Sequence, residues 1–304
     1  MKLIDLFRRK DKITQGKTAP LPSNSNISTA PLSDLQMQNV IARGVRVMPQ
    51  QLISGCGQSV GKQRDHNEDC LFTFSMTIGS EGNNYPFGLY IVADGMGGHQ
   101  YGEIASNAAA RTLAAYILRK FHPTILDPAQ TVDEPLQELM RTAINEAQRA
   151  VVQAAPGSGT TLTAVLVLGQ QMTVGHVGDS RAYIVRPDGR LDALTRDHSL
   201  VKRLEELGQI SPNEAAAHPQ RNVLYRAVGQ TEILEPDIFT TQFPRPGYLL
   251  LCSDGLWSVV PEDNFAPIIT EAANLSAACQ GLVAAANEAG GPDNISAILV
   301  QLLG

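Results

Sequence analysis

Short apolar segments recur from about residue 53 onward and predict a series of β-strands. Residues 71–76 alternate in polarity, as a strand with one buried face does. The run 87–93 is apolar throughout, which is typical of a strand buried on both faces. Turn residues at Gly169-Gln170 and Pro187-Asp188-Gly189 separate neighbouring segments and predict hairpins. The remaining predicted strands lie at 162–168, 172–177, 182–185, 191–194, 248–253 and 295–302.

Helical periodicity separates these groups of strands. Apolar residues at helical spacing predict one helix over 103–121 and a second over 134–154, which ends at Pro156-Gly157-Ser158-Gly159. We also expect helices near 262–289 and a polar, mostly helical segment at 199–230. Strand groups that alternate with helix pairs and contain hairpins predict an α+β fold, in which antiparallel sheets are covered by helices.

Residues 1–50 differ in composition from the rest of the chain. They are rich in Ser, Pro, Asn, Gln and Thr without sustained periodicity, so we expect a flexible linker there and a folded domain at 51–304. Residues 1–10 could form a basic amphipathic helix that docks on a membrane surface or a partner, or they could be a disordered tail.

Charge divides the chain in the same way. The formal net charge is −6, but residues 1–50 hold eight Lys or Arg against three Asp, so the remainder carries −11. An acidic body argues against a nucleic-acid groove, which needs clustered basic residues.

The cysteines and the hydropathy of the chain indicate the cellular compartment of the protein. The four cysteines, Cys56, Cys70, Cys252 and Cys279, form no C-x-x-C pair and lie in or beside apolar stretches. This pattern favours reduced thiols over disulfides or a zinc site. No apolar run reaches the ~18–20 residues that span a bilayer, and the start lacks the apolar core of a signal peptide. We therefore expect a cytoplasmic protein without an integral membrane segment.

Acidic residues stand beside several of the apolar segments. Asp94-Gly95 and Asp254-Gly255 each end a predicted buried strand, Glu68-Asp69 precede another, and Asp293-Asn294 precede the last one. Each pair could be an ordinary turn or cap. If folding gathers these carboxylates, they repel one another, and a cation must neutralise them. Oxygen ligands without a histidine pair favour Mg²⁺ or Mn²⁺ over Zn²⁺.

Six motifs in this chain resemble, in order and spacing, those of the metal-dependent protein phosphatases of the PP2C (PPM) type, and of bacterial members in particular. They are R-x-x-N-E-D, D-G-M-G-G-H-x-x-G-E-x-A-S, G-S-G-T-T, G-D-S-R, S-D-G-L-W and G-P-D-N-I-S. The resemblance covers about residues 53–303. It implies a four-layer α-β-β-α sandwich, in which two antiparallel sheets are flanked by helix pairs, with two metal ions in a cleft at one end.

The resemblance also implies a role for each acid. Asp94 would bridge two Mg²⁺ or Mn²⁺ ions. Asp254 and Asp293 would complete the first site, and Glu68 with the carbonyl of Gly95 would complete the second.

Other positions of the motifs extend this picture. Asp69 would reach a metal through a water, and Arg64 would hold the phosphate, since its guanidinium fork matches phosphate oxygens. Asp179 matches an acid that many bacterial members use for a third, weaker ion, although it could be a turn residue after a strand. Met96 stands where animal relatives have a histidine proposed as the general acid. His99 could take that role or a structural one.

The function implied is that of a phosphoprotein phosphatase, which hydrolyses phosphoserine and phosphothreonine with a metal-activated water and no covalent phosphoenzyme. The alternatives are a catalytically weak scaffold of the same fold, or a regulator phosphatase dedicated to one partner. We expect a monomer, phosphoprotein substrates, a cognate Ser/Thr kinase and no nucleic-acid partner. Residues 199–228 match the mobile flap of bacterial members, where charged side chains could contact a phosphopeptide or simply face solvent.

Overall fold

The computed structural model describes residues 49–77, 85–97, 101–127, 134–230 and 234–304. The predicted extension at 1–50 lies almost entirely outside these ranges, so its linker character and the helix considered for its first ten residues stay predictions. Across the described ranges, no helix combines the length and the apolar character needed to cross a membrane.

The described strands pair into two antiparallel sheets. The first sheet follows the order β1 (Gln51–Ser59), β11 (Ile295–Leu303), β10 (Tyr248–Cys252), β7 (Arg181–Val185) and β8 (Leu191–Ala193). The second follows the order β2 (Asp69–Met76), β3 (Phe87–Met96), β5 (Leu162–Leu168), β6 (Gln171–Val177) and β9 (Asp237–Gln242), and β4 (Gly159–Thr160) pairs with the end of β3.

Helices cover the outer face of each sheet. The described helices are α1 (Tyr101–Leu126), α2 (Leu136–Ala154), α3 (Leu200–Glu206), α4 (Pro212–Ala216), α5 (Asp254–Trp257), α6 (Phe265–Glu271) and α7 (Leu275–Glu288), with a 3-10 turn at Glu262–Asn264. One apolar core joins α1 and α2 to the second sheet, and another joins α6 and α7 to the first. A third core lies between the sheets. The predicted four-layer sandwich is therefore confirmed.

Strand β3 shows why its sequence is apolar at every position. Leu89 and Ile91 pack against the α1–α2 layer, whereas Tyr90 and Val92 pack into the core between the sheets. Successive side chains of a strand point to opposite faces, so a strand in a middle layer needs apolar residues on both.

The expectation of a mostly helical segment at 199–230 is wrong. Only α3 and α4 are helical there, and residues 217–230 form turns. Backbone pairing holds this part: Leu224 forms a bridge with Ser199, which precedes α3, and Val228 forms one with Thr160 of β4. Strand β9 was not predicted, because it is a polar edge strand with no buried apolar run.

Candidate metal centre

One end of the sandwich gathers the acidic residues. Strands β3 and β10 end there, and β2 and β11 begin there, because antiparallel neighbours place the end of one strand beside the start of the next. The cleft between them has a volume of about 490 Å³. Of the residues expected in the site, its walls include Arg64, Glu68, Asp94, Gly95, Asp179, Asp254 and Asp293.

Asp69 lies behind the wall of this cleft. It is 8% exposed, and its Cα is the register partner of Asp94 across β2 and β3. Its Oδ2 accepts hydrogen bonds from Ser253 Oγ at 2.8 Å and Ser296 Oγ at 2.6 Å, while its Oδ1 has no partner. Burial raises the pKa of Asp69 to about 7, and the two hydroxyls oppose that rise.

Asp254 begins α5, separated from the end of β10 only by Ser253, and its Oδ1 also has no partner. Burial and then repulsion from Asp293 raise its pKa to about 6, whereas a hydrogen bond with Asp94 lowers it. Two carboxyl groups share a hydrogen bond only while one of them holds a proton. Burial and the surrounding carboxylates likewise raise the pKa values of Asp94 and Asp179 well above the ordinary range.

Asn294 fixes the chain that carries Glu68. Its Oδ1 accepts a hydrogen bond from the Glu68 N–H at 2.7 Å, and its Nδ2 donates to the carbonyls of Val60 and His66 at 2.8 and 2.9 Å. Ser106 Oγ donates to the Glu68 carbonyl at 2.6 Å. The sequence suggested only a turn cap for Asn294. The one sequence feature that could have indicated a role in the site is its position next to Asp293 in the same motif.

Arg64 and His66 lie at the mouth of the cleft. Arg64 Nη2 donates to Asp293 Oδ2 at 2.7 Å, with the arginine side chain 47% exposed. His66 Nε2 lies 3.3 Å from Glu68 Oε1 and also lines the cleft. Sequence reasoning did not single out His66. Met96 lines the cleft as well, whereas His99 lies outside the described residues.

The backbone of Asp94 is held by the G-S-G-T-T motif. The Asp94 N–H donates to Thr161 Oγ1 at 2.9 Å, and Thr160 Oγ1 donates to the Asp94 carbonyl at 2.9 Å. Thr161 Oγ1 in turn lies 2.7 Å from Ser180 Oγ. The motif was recognised in the sequence without a role, and the structure supplies one.

The glycine of each Asp-Gly pair is required by close backbone approach. A Cβ on Gly95 would collide with the carbonyl of Gly102 and lie 2.7 Å from that of Glu68. A Cβ on Gly255 would collide with the carbonyl of Asn294. These contacts bring the segments before β2 and β11 against the two aspartates.

The donor set fits divalent cations that prefer oxygen. Two buried carboxylate oxygens lack partners, and burial and mutual repulsion raise the pKa values of the clustered acids, a conflict that a bound cation would relieve. Within the described ranges, no three acidic, histidine or cysteine side chains close around a single point. The available donors are carboxylate and carbonyl oxygens, which Mg²⁺ and Mn²⁺ prefer.

Comparisons with known proteins agree with this chemistry. The family profile described as "Protein phosphatase 2C" matches residues 54–295. The chain is 37% identical over 247 residues to "Serine/threonine phosphatase stp" of Listeria welshimeri, covering 79% of this chain and 92% of the relative. It is 34% identical over 244 residues to "Protein phosphatase PhpP" of Streptococcus pneumoniae, covering 80% of this chain and 94% of the relative.

Solved structures give the same result. The S. agalactiae serine/threonine phosphatase superposes with a TM-score of 0.70 at 33% identity, covering 82% of this chain and 99% of the other. The catalytic domain of the serine/threonine protein phosphatase PstP, solved in complex with two manganese ions, gives a TM-score of 0.67 at 28% identity, covering 84% and 100%. The chain therefore belongs to the protein phosphatase 2C family and is a metal-dependent protein serine/threonine phosphatase.

Proposed function

We propose that two Mg²⁺ or Mn²⁺ ions bind in the cleft and that Asp94 contacts both of them. Asp254 and Asp293 complete one site. Glu68 and the carbonyl of Gly95 complete the other. The observation that carries this assignment is the convergence of these acids on one cleft, with an unpartnered buried oxygen on Asp254.

Asp69 supports the site from behind the cleft wall. Its Oδ1 is buried without a hydrogen-bond partner, while Oδ2 is saturated by the hydroxyls of Ser253 and Ser296. An oriented acceptor of this kind suits a water that a metal also binds. We assign Asp69 to that indirect contact.

Arg64 is assigned to the phosphoryl group of the substrate. It is half exposed at the cleft mouth, and its fork contacts Asp293, a proposed ligand. A guanidinium binds two phosphate oxygens at once and offsets their charge. When bound, the metal ions lower the pKa of water and offset charge on the transferred group. Water is the nucleophile, so no residue of the chain forms a covalent phosphoenzyme.

Asp179 is assigned to a third, weaker ion together with Asp254. It is 7% exposed yet lines the cleft, and repulsion from Asp254 contributes to its raised pKa. A cation between these two acids would relieve that repulsion.

The substrates we propose are proteins that carry phosphoserine or phosphothreonine. Their turnover implies a Ser/Thr kinase that supplies the phosphoryl group. A pure scaffold is not favoured, because every acid expected of an active site is present.

All four cysteines are free thiols, which supports a reducing compartment, and we place the protein in the cytoplasm. We also propose that it is a monomer. Size-exclusion chromatography with light scattering tests the monomer.

The domain division is also a proposal. Strand β1 begins at Gln51 and the family profile begins at residue 54, which supports a catalytic domain at 51–304 preceded by a separate extension. Deletion of residues 1–48 should leave hydrolysis of p-nitrophenyl phosphate unchanged. A large loss of rate would contradict the division.

The decisive experiment measures hydrolysis of a phosphothreonine peptide with Mn²⁺, after EDTA treatment and after Mn²⁺ is restored. Asp94→Asn should abolish turnover, while Asp263→Asn, an exposed aspartate on the 3-10 turn, should not. Hydrolysis that survives complete metal removal would overturn the mechanism. Full activity of Asp94→Asn would overturn the ligand assignment alone.

A further inference from the structure

We infer that Trp257 and Arg181 are positioning residues that fix Asp179 relative to Asp254 and thereby set the affinity of the ion these two carboxylates share. The inference rests on the proposed metal role of Asp179. It adds two residues that are not ligands of the ion: Trp257 holds the backbone of Asp179, and Arg181 packs on the indole of Trp257.

Trp257 ties the two carboxylates together. It lies on the same single turn of helix as Asp254, α5, and its indole Nε1 donates a hydrogen bond of 3.0 Å to the backbone carbonyl of Asp179. The Ser258 N–H donates to the Asp254 carbonyl at 2.9 Å and closes that turn. Any displacement of Asp254 therefore carries the indole, and with it the Asp179 carbonyl.

Arg181 holds the indole in place. Its guanidinium carbon lies 3.5 Å from the centre of the Trp257 ring. The fork also binds both oxygens of Asp197, with Nε–Oδ1 at 2.9 Å and Nη2–Oδ2 at 2.7 Å. This bidentate ion pair, in which the Asp197 side chain is 7% exposed, fixes the guanidinium, so the indole cannot move toward that face without displacing it.

The residue before Asp179 is held as well. The Gly178 carbonyl accepts a hydrogen bond from the His198 N–H at 2.7 Å, and the Gly178 N–H donates to His198 Nδ1 at 3.2 Å. The turn that carries Asp179 is therefore anchored on one side by His198 and on the other by Trp257. Removal of the indole donor therefore frees the turn only on the side that faces Asp254, and the contacts with His198 remain.

The first experiment titrates the full-length, metal-free protein with Mn²⁺ alone, by calorimetry and by the electron paramagnetic resonance signal of free Mn²⁺. Trp257→Phe keeps a ring beneath Arg181 but loses the donor. It should weaken the lowest-affinity ion about tenfold, as loss of a residue that orients a ligand does. Arg181→Lys should weaken the same ion, and the tighter ions should keep their affinities.

Tyr90→Phe is the matched control. It also removes one hydrogen bond from a buried aromatic side chain, the 2.7 Å contact with Ser75 Oγ, away from the cleft. It should leave every Mn²⁺ affinity unchanged. The melting temperature of each metal-free variant shows whether a lost affinity is only lost folding.

The second experiment uses the native chain, in which Trp257 is the only tryptophan. Mn²⁺ is paramagnetic, so occupation of the Asp179–Asp254 site should quench the indole fluorescence with the affinity of the weakest ion. Asp179→Asn should abolish that phase of the quenching.

The outcomes separate the inference from the proposal beneath it. If Asp179→Asn loses an ion while Trp257→Phe and Arg181→Lys bind all ions with native affinity, the positioning role is wrong. If Asp179→Asn binds every ion normally, the third-ion assignment fails and the inference fails with it. Neither outcome bears on phosphatase activity, because no substrate is present.

Discussion

Asp69 and Asp94 lie directly opposite one another in the register of β2 and β3. Side chains of opposed residues share one face of the sheet, so two carboxylates are forced into proximity by the strand pairing itself. Asp254 and Asp293 add to the repulsion at both positions. The fold therefore holds acids together that are stable only with protons or cations between them.

Asp254→Asn should abolish turnover yet stabilise the metal-free protein. At pH 8 the buried Asp254 is charged, and its pKa of about 6 against an ordinary value near 3.8 corresponds to about 1–3 kcal/mol of unfavourable free energy. Neutralising it should raise the melting temperature in EDTA by a few degrees. Calorimetry with and without Mn²⁺ checks this, and the exposed Asp263→Asn serves as control. A lower metal-free stability would show that the acids are not in conflict.

Part of this site could be predicted from the sequence alone. Asp94 and Asp254 each end an apolar run and precede glycine, and that pattern marks a rigid strand end on which a ligand can be held. Ser253, Ser296 and Asn294 act through hydrogen bonds to groups more than 40 residues away. Such contacts leave no periodic signal, so their roles needed the structure.

The prediction for 199–230 failed for a related reason. Local polarity and charge favour a solvated helix there, and α3 and α4 do form. The rest is held by backbone hydrogen bonds to distant partners, such as Val228 with Thr160 and Tyr225 with His198. Tertiary pairing overrides local propensity at such positions, and a single sequence does not encode it visibly.

Ser296→Ala should destabilise the protein by about 1–2 kcal/mol, because a hydrogen bond to a buried carboxylate is lost. Ser253→Ala should cost a similar amount. The double variant should deviate from the sum of the two, since both hydroxyls serve the same Oδ2 of Asp69. Urea unfolding of the four proteins measures the coupling. Strict additivity would show that the two hydroxyls act independently.

Arg64→Ala should lower kcat/KM for a phosphothreonine peptide about 10- to 100-fold, the loss expected for one charged hydrogen-bonding partner. The kcat/KM of Arg64→Lys should lie between those of the native protein and Arg64→Ala, because lysine keeps the positive charge but lacks the guanidinium fork. Rates are compared at saturating Mn²⁺, since Arg64 also contacts Asp293. The assignment would be wrong if Arg64→Ala kept native kcat/KM while its Mn²⁺ affinity changed.

His176 should make the protein less stable at mildly acidic pH. It is fully buried, with Nδ1 2.9 Å from Thr163 Oγ1 and Nε2 3.0 Å from the Arg196 carbonyl. Burial, and then repulsion from His198, lower its pKa from 6.5 to about 4. The unfolded chain thus binds a proton between pH 6.5 and 4 that the folded protein refuses. The free energy of unfolding therefore keeps its full value, as far as His176 is concerned, above pH 6.5. It decreases by up to about 3 kcal/mol as the pH falls towards 4.

His176→Gln separates this effect from the carboxylates of the cleft, whose raised pKa values change stability in the opposite sense over the same range. The free energy of unfolding in EDTA is measured from pH 4.5 to 7.5 for the native protein and the variant. Subtracting the free energy of unfolding of the variant from that of the native protein removes the contribution of the carboxylates. The remaining difference should decrease by roughly 1.4 kcal/mol for each pH unit below about 6. His122→Gln, an exposed histidine on α1, should follow the native curve. A difference independent of pH would mean that folding does not shift the pKa of His176.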